Sequence, residues 1–290
     1  MANQYGKLYV VATPIGNLAD FSFRAVDILK QVDCIAAEDT RHVRLLLQHY
    51  GITNKLLALH QHNEEHAALG LLEKLQQGLS IALVSDAGTP LLSDPGMPLV
   101  KLVKNAGIEV SPIPGACALI AALSVAGLPL SRFEFEGFLA RTSSQRKAFF
   151  NTKINCPSTW VFYEASHRIQ ATLQDMVEVF PPDREVVIAR EITKLYETIV
   201  KTTVVDALAL VTNDPNMRKG EFVVIVAGAV IEKHVQELTD EQQRILQVLL
   251  RECSTKTAVA LAVDITGARK KALYQAALAS GFGASDEEVL

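Results

Sequence analysis

Between residues 7 and 111 the chain repeats one pattern, and that pattern leaves few folds open. Short apolar, β-branched runs alternate with segments whose apolar residues recur at helical spacing. Residues 7–12 (KLYVVA) lead to a helical stretch at 21–32, 33–37 to HVRLLLQHY, 55–59 to 64–77, and 80–84 to 96–105, with 108–111 closing the series. Such alternation predicts a mainly parallel sheet covered on both faces, because each crossover helix must bury its apolar stripe on the strands. After Pro114-Gly115, ACALIAALSVAG reads as a helix apolar on nearly every side, hence buried, that stops at Gly127. The second half changes rhythm: 133–138, STWVFYEA, REVVIARE, LYETIVKT and GEFVVIVAG are strand-like, with helices only at 168–179 and 204–211. Fewer crossovers predict a mixed sheet. From about residue 232, TDEQQRILQVLLRE, TKTAVALAVDITG and ARKKALYQAALAS read as short helices of helix-turn-helix type, with Thr239 and Asp240 as N-cap candidates and Gly267 and Gly281 as stops. The expected architecture is α/β, with a mainly parallel domain at 1–117, a mixed-sheet domain at 118–231 and a helical region at 232–290 whose acidic end, 286–290 (DEEVL), frays.

A chain of 290 residues is long enough for that arrangement. Its net charge of −4 excludes a globally basic nucleic-acid coat, so any such partner must meet a local patch. Four scattered cysteines, Cys34, Cys117, Cys156 and Cys253, form no C-x-x-C and imply neither a disulfide framework nor a cysteine zinc site, which fits a reducing cytoplasm. No signal peptide and no apolar run of about 18 residues is read, so no membrane span is expected.

Chemistry concentrates in the loops. ATPIGNLAD follows the first strand, and VSDAGTPLLSDPG follows the run SIALV. Asp39 lies at the distance downstream where a dinucleotide fold binds a ribose hydroxyl, but the first loop carries one glycine where the G-x-G-x-x-G fingerprint needs three, and no Walker A loop exists. SDAGTP and SDPG place small residues and carboxylates at a strand's carboxyl end, which suits a ligand with hydroxyls and an amino group better than a polyphosphate. Tight turns with helix-capping aspartates are the alternative. HQHNEEH brings His60, His62 and His66 together, yet their spacing matches no strong zinc pattern and no metal is expected. Without G-x-S-x-G, a Ser/His/Asp hydrolase has no support.

LYVVATPIGNLAD, CIAAEDTRH, LVSDAGTPLLSDPG, PIPGACALIAAL, FEGFLAR, WVFYEASHR, AREITKLYE, GEFVVIVAG and the helical tail together cover nearly the whole chain. They resemble the tetrapyrrole-methylase-like class of S-adenosylmethionine (AdoMet) methyltransferases, and within it the branch that methylates the ribose 2′-oxygen of a cytidine in small-subunit (16S) ribosomal RNA near the decoding centre. Tetrapyrrole members carry a glycine-richer first loop and a GDP-like second loop; PIGN and SDAGTP depart from both and favour the RNA branch.

The resemblance implies AdoMet folded in a cleft between two α/β domains. Around it would lie Pro14, Gly16 and Asn17; Ser85, Asp86, Ala87, Gly88, Thr89 and Pro90; Pro114 and Gly115; and Phe162 and Tyr163. A sulfonium and an ammonium favour carboxylates and carbonyls over helix-terminal amides, so Asp86 is the first candidate to face the cofactor, with capping as its alternative. A ribose hydroxyl is a weak acid, and a base or a cation should help its methylation. Glu164, Glu191, Lys194 and Asp39 are the candidates, and Glu164 and Lys194, which follow apolar strands, read equally as structural ion pairs. For RNA phosphates the local clusters are Arg41 and Arg44; Arg141, Arg146 and Lys147; His167 and Arg168; and Arg269, Lys270 and Lys271 in the tail, where a solvated face is the alternative. The implied partner is small-subunit ribosomal RNA or the 30S subunit. A homodimer is expected from the resemblance and because two-fold dimers are the commonest oligomers. The rivals are a same-fold methylase acting on a tetrapyrrole or protein side chain, and a non-catalytic RNA-binding assembly factor.

Overall fold

The computed structural model describes residues 5–229 and 238–280. They belong to two compact units, divided after Ala229. The first unit begins with β1 (Leu8–Val11), α1 (Phe23–Gln31), β2 (Cys34–Ala37), α2 (Thr40–His49), β3 (Lys55–Ala58), α3 (Glu64–Gln76), β4 (Ile81–Val84), α4 (Met97–Asn105) and β5 (Val110–Ile113). The strands form a parallel sheet in the order β3-β2-β4-β1-β5. CIAA and IALV, the strands β2 and β4, are buried at every residue, as strands covered on both faces must be. Leu29 of α1 and Val43 and Leu47 of α2 pack on one face with Ile35 and Ala82. Leu71 and Leu75 of α3 and Leu99 and Val103 of α4 pack on the other with Ile81 and Leu83. The direction in which the crossovers wind across the sheet therefore reverses between the adjacent parallel strands β1 and β4: one feeds α1 and β2, the other α4 and β5 on the opposite face. A crevice opens at the carboxyl ends of strands at such a point.

The unit continues with α5 (Ala118–Val125), β6 (Phe133–Phe138), α6 (Ser143–Lys153), β7 (Thr159–Ala165), α7 (Ile169–Val179), β8 (Glu185–Arg190), β9 (Thr198–Thr203), α8 (Val204–Asn213) and β10 (Glu221–Val226). The second sheet is ordered β6-β7-β10-β8-β9 and is mixed: β6 and β7 run parallel, and the remaining neighbours antiparallel. Phe150, Ile169, Leu173, Ala207 and Val211 from α6, α7 and α8 cover one face around Trp160 and Phe162. Leu119, Ala122 and Leu123 of α5 cover the other, against Val161, Val187 and Val223.

Two expectations are corrected. Helix α5 is not buried on every side, for Ile120 and Val125 are each 55% exposed on the side away from the sheet. Helix α6 was not expected. Its apolar residues Ala148, Phe149 and Phe150 are consecutive rather than periodic, and one of its two buried positions is Arg146, so no apolar stripe announces it.

The second unit contains α9 (Asp240–Glu252), α10 (Thr255–Thr266) and α11 (Lys270–Ala279) around Leu246, Leu250, Val259 and Leu273. Thr239 and Gln242 form a capping box at the start of α9, and Gly267 ends α10 at φ +65°. Arg269, Lys270 and Lys271 are exposed at the start of α11. The boundary read at 231/232, Gly281 and the acidic end lie outside the described residues. Among the described residues no helix is long and apolar enough to cross a membrane.

Candidate active site

Thr13, at the exit of β1, is stitched to the loop after β4. Its backbone N–H donates to Gly88 O at 2.8 Å, Gly88 N–H donates to Thr13 O at 3.1 Å, and its hydroxyl reaches Ser85 O at 3.3 Å. Gly88 takes this course at φ +81°, where a side chain is strained. Thr89 Oγ1 donates to Ala116 O at 3.1 Å and ties in the loop after β5. Beside these loops lies a cavity of about 360 Å³. The first sheet contributes Ile15, Gly88, Thr89 and Asp94 to it; the second contributes Phe138, Tyr163, Glu164, Ile192 and Glu221.

Of the candidate cofactor residues, Ala87, Gly88, Thr89 and Tyr163 line this cavity. Pro14, Gly16, Asn17, Ser85, Asp86, Pro90, Pro114 and Gly115 frame its loops without lining it, while their neighbours Ile15 and Cys117 do line it. Asp86 is occupied as a brace, since its Oδ1 accepts from the backbone N–H of Asp39 at 3.0 Å. Asn17 caps a short turn by accepting from Ala19 N–H at 3.0 Å. Gly16 is a glycine because Lys194 crosses it: a Cβ there would lie 2.4 Å from Lys194 Cγ. Phe162 is a correction. Successive strand residues face opposite ways, so with Tyr163 toward the cavity Phe162 is fully buried in the core beneath α6 and α7.

The electrostatics are those of a carboxylate-rich cleft. Burial pushes the Asp94 carboxyl up to about 6, with a further upward push from Asp86. Burial and then Asp94, Asp86 and Asp39 raise Glu38 to about 7. Neither residue was singled out as a candidate, although Asp94 stands in plain view in SDPG. Burial lifts the Tyr163 hydroxyl to about 12, and that oxygen accepts from Leu119 N–H at 3.2 Å near the start of α5.

Glu164 is 2% exposed and fully engaged. Thr172 Oγ1 donates to it at 2.7 Å, and the Arg168 guanidinium lies 3.1 Å away. Lys194 Nζ bridges Glu191 at 3.1 Å and Glu221 at 2.9 Å. Partial burial opposes its charge, but the Glu221 and Glu191 carboxylates outweigh that and hold its pKa above the usual lysine value. Lys194 is therefore a fixed cation, not a base. Glu191 and Thr193 hold positive φ, +51° and +67°, so the loop carrying Lys194 is strained. Asp39 is corrected as a catalytic candidate. It caps α2 through Arg41 N–H at 2.8 Å and pairs with the Arg41 side chain, whose hydrogen bonds keep its carboxyl far below the usual range.

A family model described as Tetrapyrrole (Corrin/Porphyrin) Methylases matches residues 7–208. The chain belongs to this family. A second model, the RsmI C-terminal HTH domain, matches residues 236–281. The ribosomal RNA small subunit methyltransferase I of Escherichia coli O157:H7 is 51% identical over 276 residues, 95% of this chain and 96% of the relative. Among solved structures, the methyltransferase CobJ superposes with a TM-score of 0.57 at 21% identity, over 77% of this chain and 95% of that one. Uroporphyrin-III C-methyl transferase from Thermus thermophilus, complexed with S-adenyl homocysteine, gives 0.52 at 16% identity, over 76% and 96%.

In this methylase the basic candidates divide by what already holds them. Arg44, Arg141 and His167 are exposed, and Arg41 is exposed while paired with Asp39. Lys147 is half-buried and paired with Glu178. Arg146 and Arg168 are corrections. Arg146 is 4% exposed and bound to Asp175 at 2.6 Å; Arg168 spends its guanidinium on Glu164 and on the carbonyls of Leu139 and Ala140, each at 2.8 Å. His60 and His62 stack edge to face at 6.0 Å, and among the described residues no group of three potential ligands could hold a metal ion.

Proposed function

We propose that this protein transfers the methyl group of AdoMet to the ribose 2′-oxygen of a cytidine in small-subunit (16S) ribosomal RNA. One observation carries the reading. A cleft is lined by the raised carboxyl of Asp94 and by Glu221, the carboxylate that holds Lys194, in a chain 51% identical over 276 residues to a ribosomal RNA small subunit methyltransferase.

The residues present fit AdoMet. Burial and then Asp86 raise the Asp94 carboxyl, and burial and then Asp94 raise that of Glu38, as in a site suited to a cation, and no basic side chain lines the cavity itself. Ile15, Gly88, Thr89 and Asp94 would hold the cofactor, which supplies an electrophilic methyl on a positive sulfur. Lys194, locked between Glu191 and Glu221, is the cation available to stabilise negative charge growing on the ribose oxygen. Asp94, pushed up to about 6, is the cleft carboxylate matched to accept the hydroxyl proton near neutral pH. Glu164 positions rather than reacts, because Thr172 and Arg168 saturate it and fix the end of β7. The enzyme supplies alignment above all. Exposed Arg44, Arg141 and His167, with the basic start of α11, offer phosphate contacts. The same reading makes the enzyme cytoplasmic and homodimeric; sedimentation equilibrium checks the dimer and cell fractionation the location.

The test is transfer of labelled methyl from AdoMet to small subunits and to free ribosomal RNA from cells lacking the gene. Label in one 2′-O-methylcytidine is expected; tight AdoMet binding with no transfer to either substrate sinks the reading.

A further inference from the structure

Strand β6 breaks its side-chain alternation at one point. Phe135 pairs with Val161 and Phe138 with Tyr163, so β6 advances three residues while β7 advances two. The extra residue falls at Gly137, which sits at φ +63°, and a Cβ added there would lie 3.5 Å from Ser93 Oγ in the SDPG loop. This is a β-bulge, a device that re-aims a side chain beside a site. Without it, Phe138 would share the face of Glu134 and Glu136, which bind Lys153 of α6. With it, Phe138 returns to the face of Phe135 and Tyr163 and lines the cleft.

The ring meets Tyr163 edge to face at 5.6 Å, and Phe135 meets the same tyrosine edge to face at 5.0 Å. Tyr163 is itself pinned by its hydrogen bond from Leu119 N–H, so the support is rigid. Yet Phe138 is 57% exposed, which is a poor use of a phenylalanine in packing. A nucleotide turned out of its stack to bring its ribose to the cofactor loses its stacking contacts, and an exposed aromatic ring replaces them for any base.

We propose that Phe138, backed by Tyr163, is the stacking platform for the pyrimidine ring of the target nucleotide. It rests on the RNA reading above. The platform contributes affinity and placement, while the choice of cytidine over other bases must come from other groups.

The experiment compares Phe138→Ala, Phe138→Leu and Phe138→Trp in the full-length protein. Measurements are kcat/KM for the RNA substrate, S-adenosylhomocysteine affinity by calorimetry, and fluorescence of RNA carrying pyrrolocytidine at the target position. Alanine and leucine should each lower kcat/KM by roughly 5- to 100-fold, the range of one lost base–aromatic stack, and tryptophan should restore it to within about threefold. S-adenosylhomocysteine affinity should stay within about twofold, and the fluorescence quench seen with wild type and tryptophan should vanish with alanine. Full activity of the leucine variant would overturn the proposal, because side-chain bulk alone would then suffice. Weakened S-adenosylhomocysteine binding with an unchanged KM for RNA would also overturn it, by assigning the ring to the cofactor's adenine. If wild type itself transfers no label to RNA, the reaction assignment fails first and the platform falls with it.

Discussion

Replacing Arg146 with methionine separates a phosphate contact from a buried brace. Arg146 stands in the basic run ARTSSQRK, but it is 4% exposed. Its guanidinium meets Asp175 at 2.6 and 2.8 Å and donates to Arg141 O at 2.7 Å. Methionine fills much of the same space, so lost packing is the smaller effect. The larger one falls on Asp175, also 4% exposed, which would keep only Ser143 Oγ at 2.6 Å and Lys147 Nζ at 3.9 Å. Removing one partner of a buried pair costs about 3–5 kcal/mol, and the remaining lysine places this case near the lower end. At about 2–4 °C per kcal/mol for a domain of this size, Tm should fall by about 6–12 °C. The double variant Arg146→Met with Asp175→Leu should recover most of that loss, since replacing a whole buried pair is close to neutral. Thermal unfolding reads the stability, and RNA binding across a salt series reads the contact. At a temperature where the single variant is folded, the slope of log K against log salt should match wild type. An unchanged Tm with a shallower slope would refute the reasoning and make Arg146 a phosphate ligand.

Three further outcomes follow from the site. Gly16→Ala places a methyl 2.4 Å from Lys194 Cγ, so Lys194 must shift by about 1 Å to regain ordinary contact; kcat should drop by about 100-fold while the fold survives, and an active variant would remove Lys194 from the chemistry. Asp94 and Glu38, raised to about 6 and about 7, favour their neutral forms in the folded protein. Their stabilising contribution is complete below the unfolded carboxyl pKa values and is lost as pH rises through 6 to 7, and over that same window they become able to attract a cation. AdoMet affinity should therefore strengthen from pH 5 to 8 more steeply than that of S-adenosylhomocysteine, which lacks the sulfonium charge, and parallel profiles would contradict it. Lys270→Ala with Lys271→Ala, both exposed at the start of α11, should reduce the salt slope of RNA binding by about one to two without changing AdoMet affinity; an unchanged slope would leave α11 off the RNA.

How much of this was legible varies with the physics of each element. CIAA and IALV declare strands buried on both faces, so the first sheet can be read directly. Helix α6 cannot, because Arg146 occupies an interior position that only the distant Asp175 makes tolerable. Gly88, Thr89, Tyr163 and Glu164 were visible as residues at strand ends and do line the cavity. Phe162, read beside Tyr163 as a cofactor contact, is instead core: it lies fully buried with Trp160 beneath α6 and α7. Phe138 was hidden because a bulge resets the alternation, and its one signal was the isolated Gly137 in FEGF. Asp86 and Asp94 look alike in sequence, and only the fold distinguishes them: Asp86 braces Asp39 N–H, whereas Asp94, in contact with Ser85, lines the cleft.

The central claim is that the methyl group lands on a ribose oxygen, and alkaline hydrolysis of the labelled product tests it most directly. Alkali cleaves RNA through attack of the 2′-hydroxyl on the neighbouring phosphate, so a methylated 2′-oxygen protects its own linkage. The account predicts that the transferred label emerges in one alkali-stable dinucleotide beginning with cytidine, and that Lys194→Met abolishes it. Label released as a mononucleotide, or retained on protein, would contradict the account.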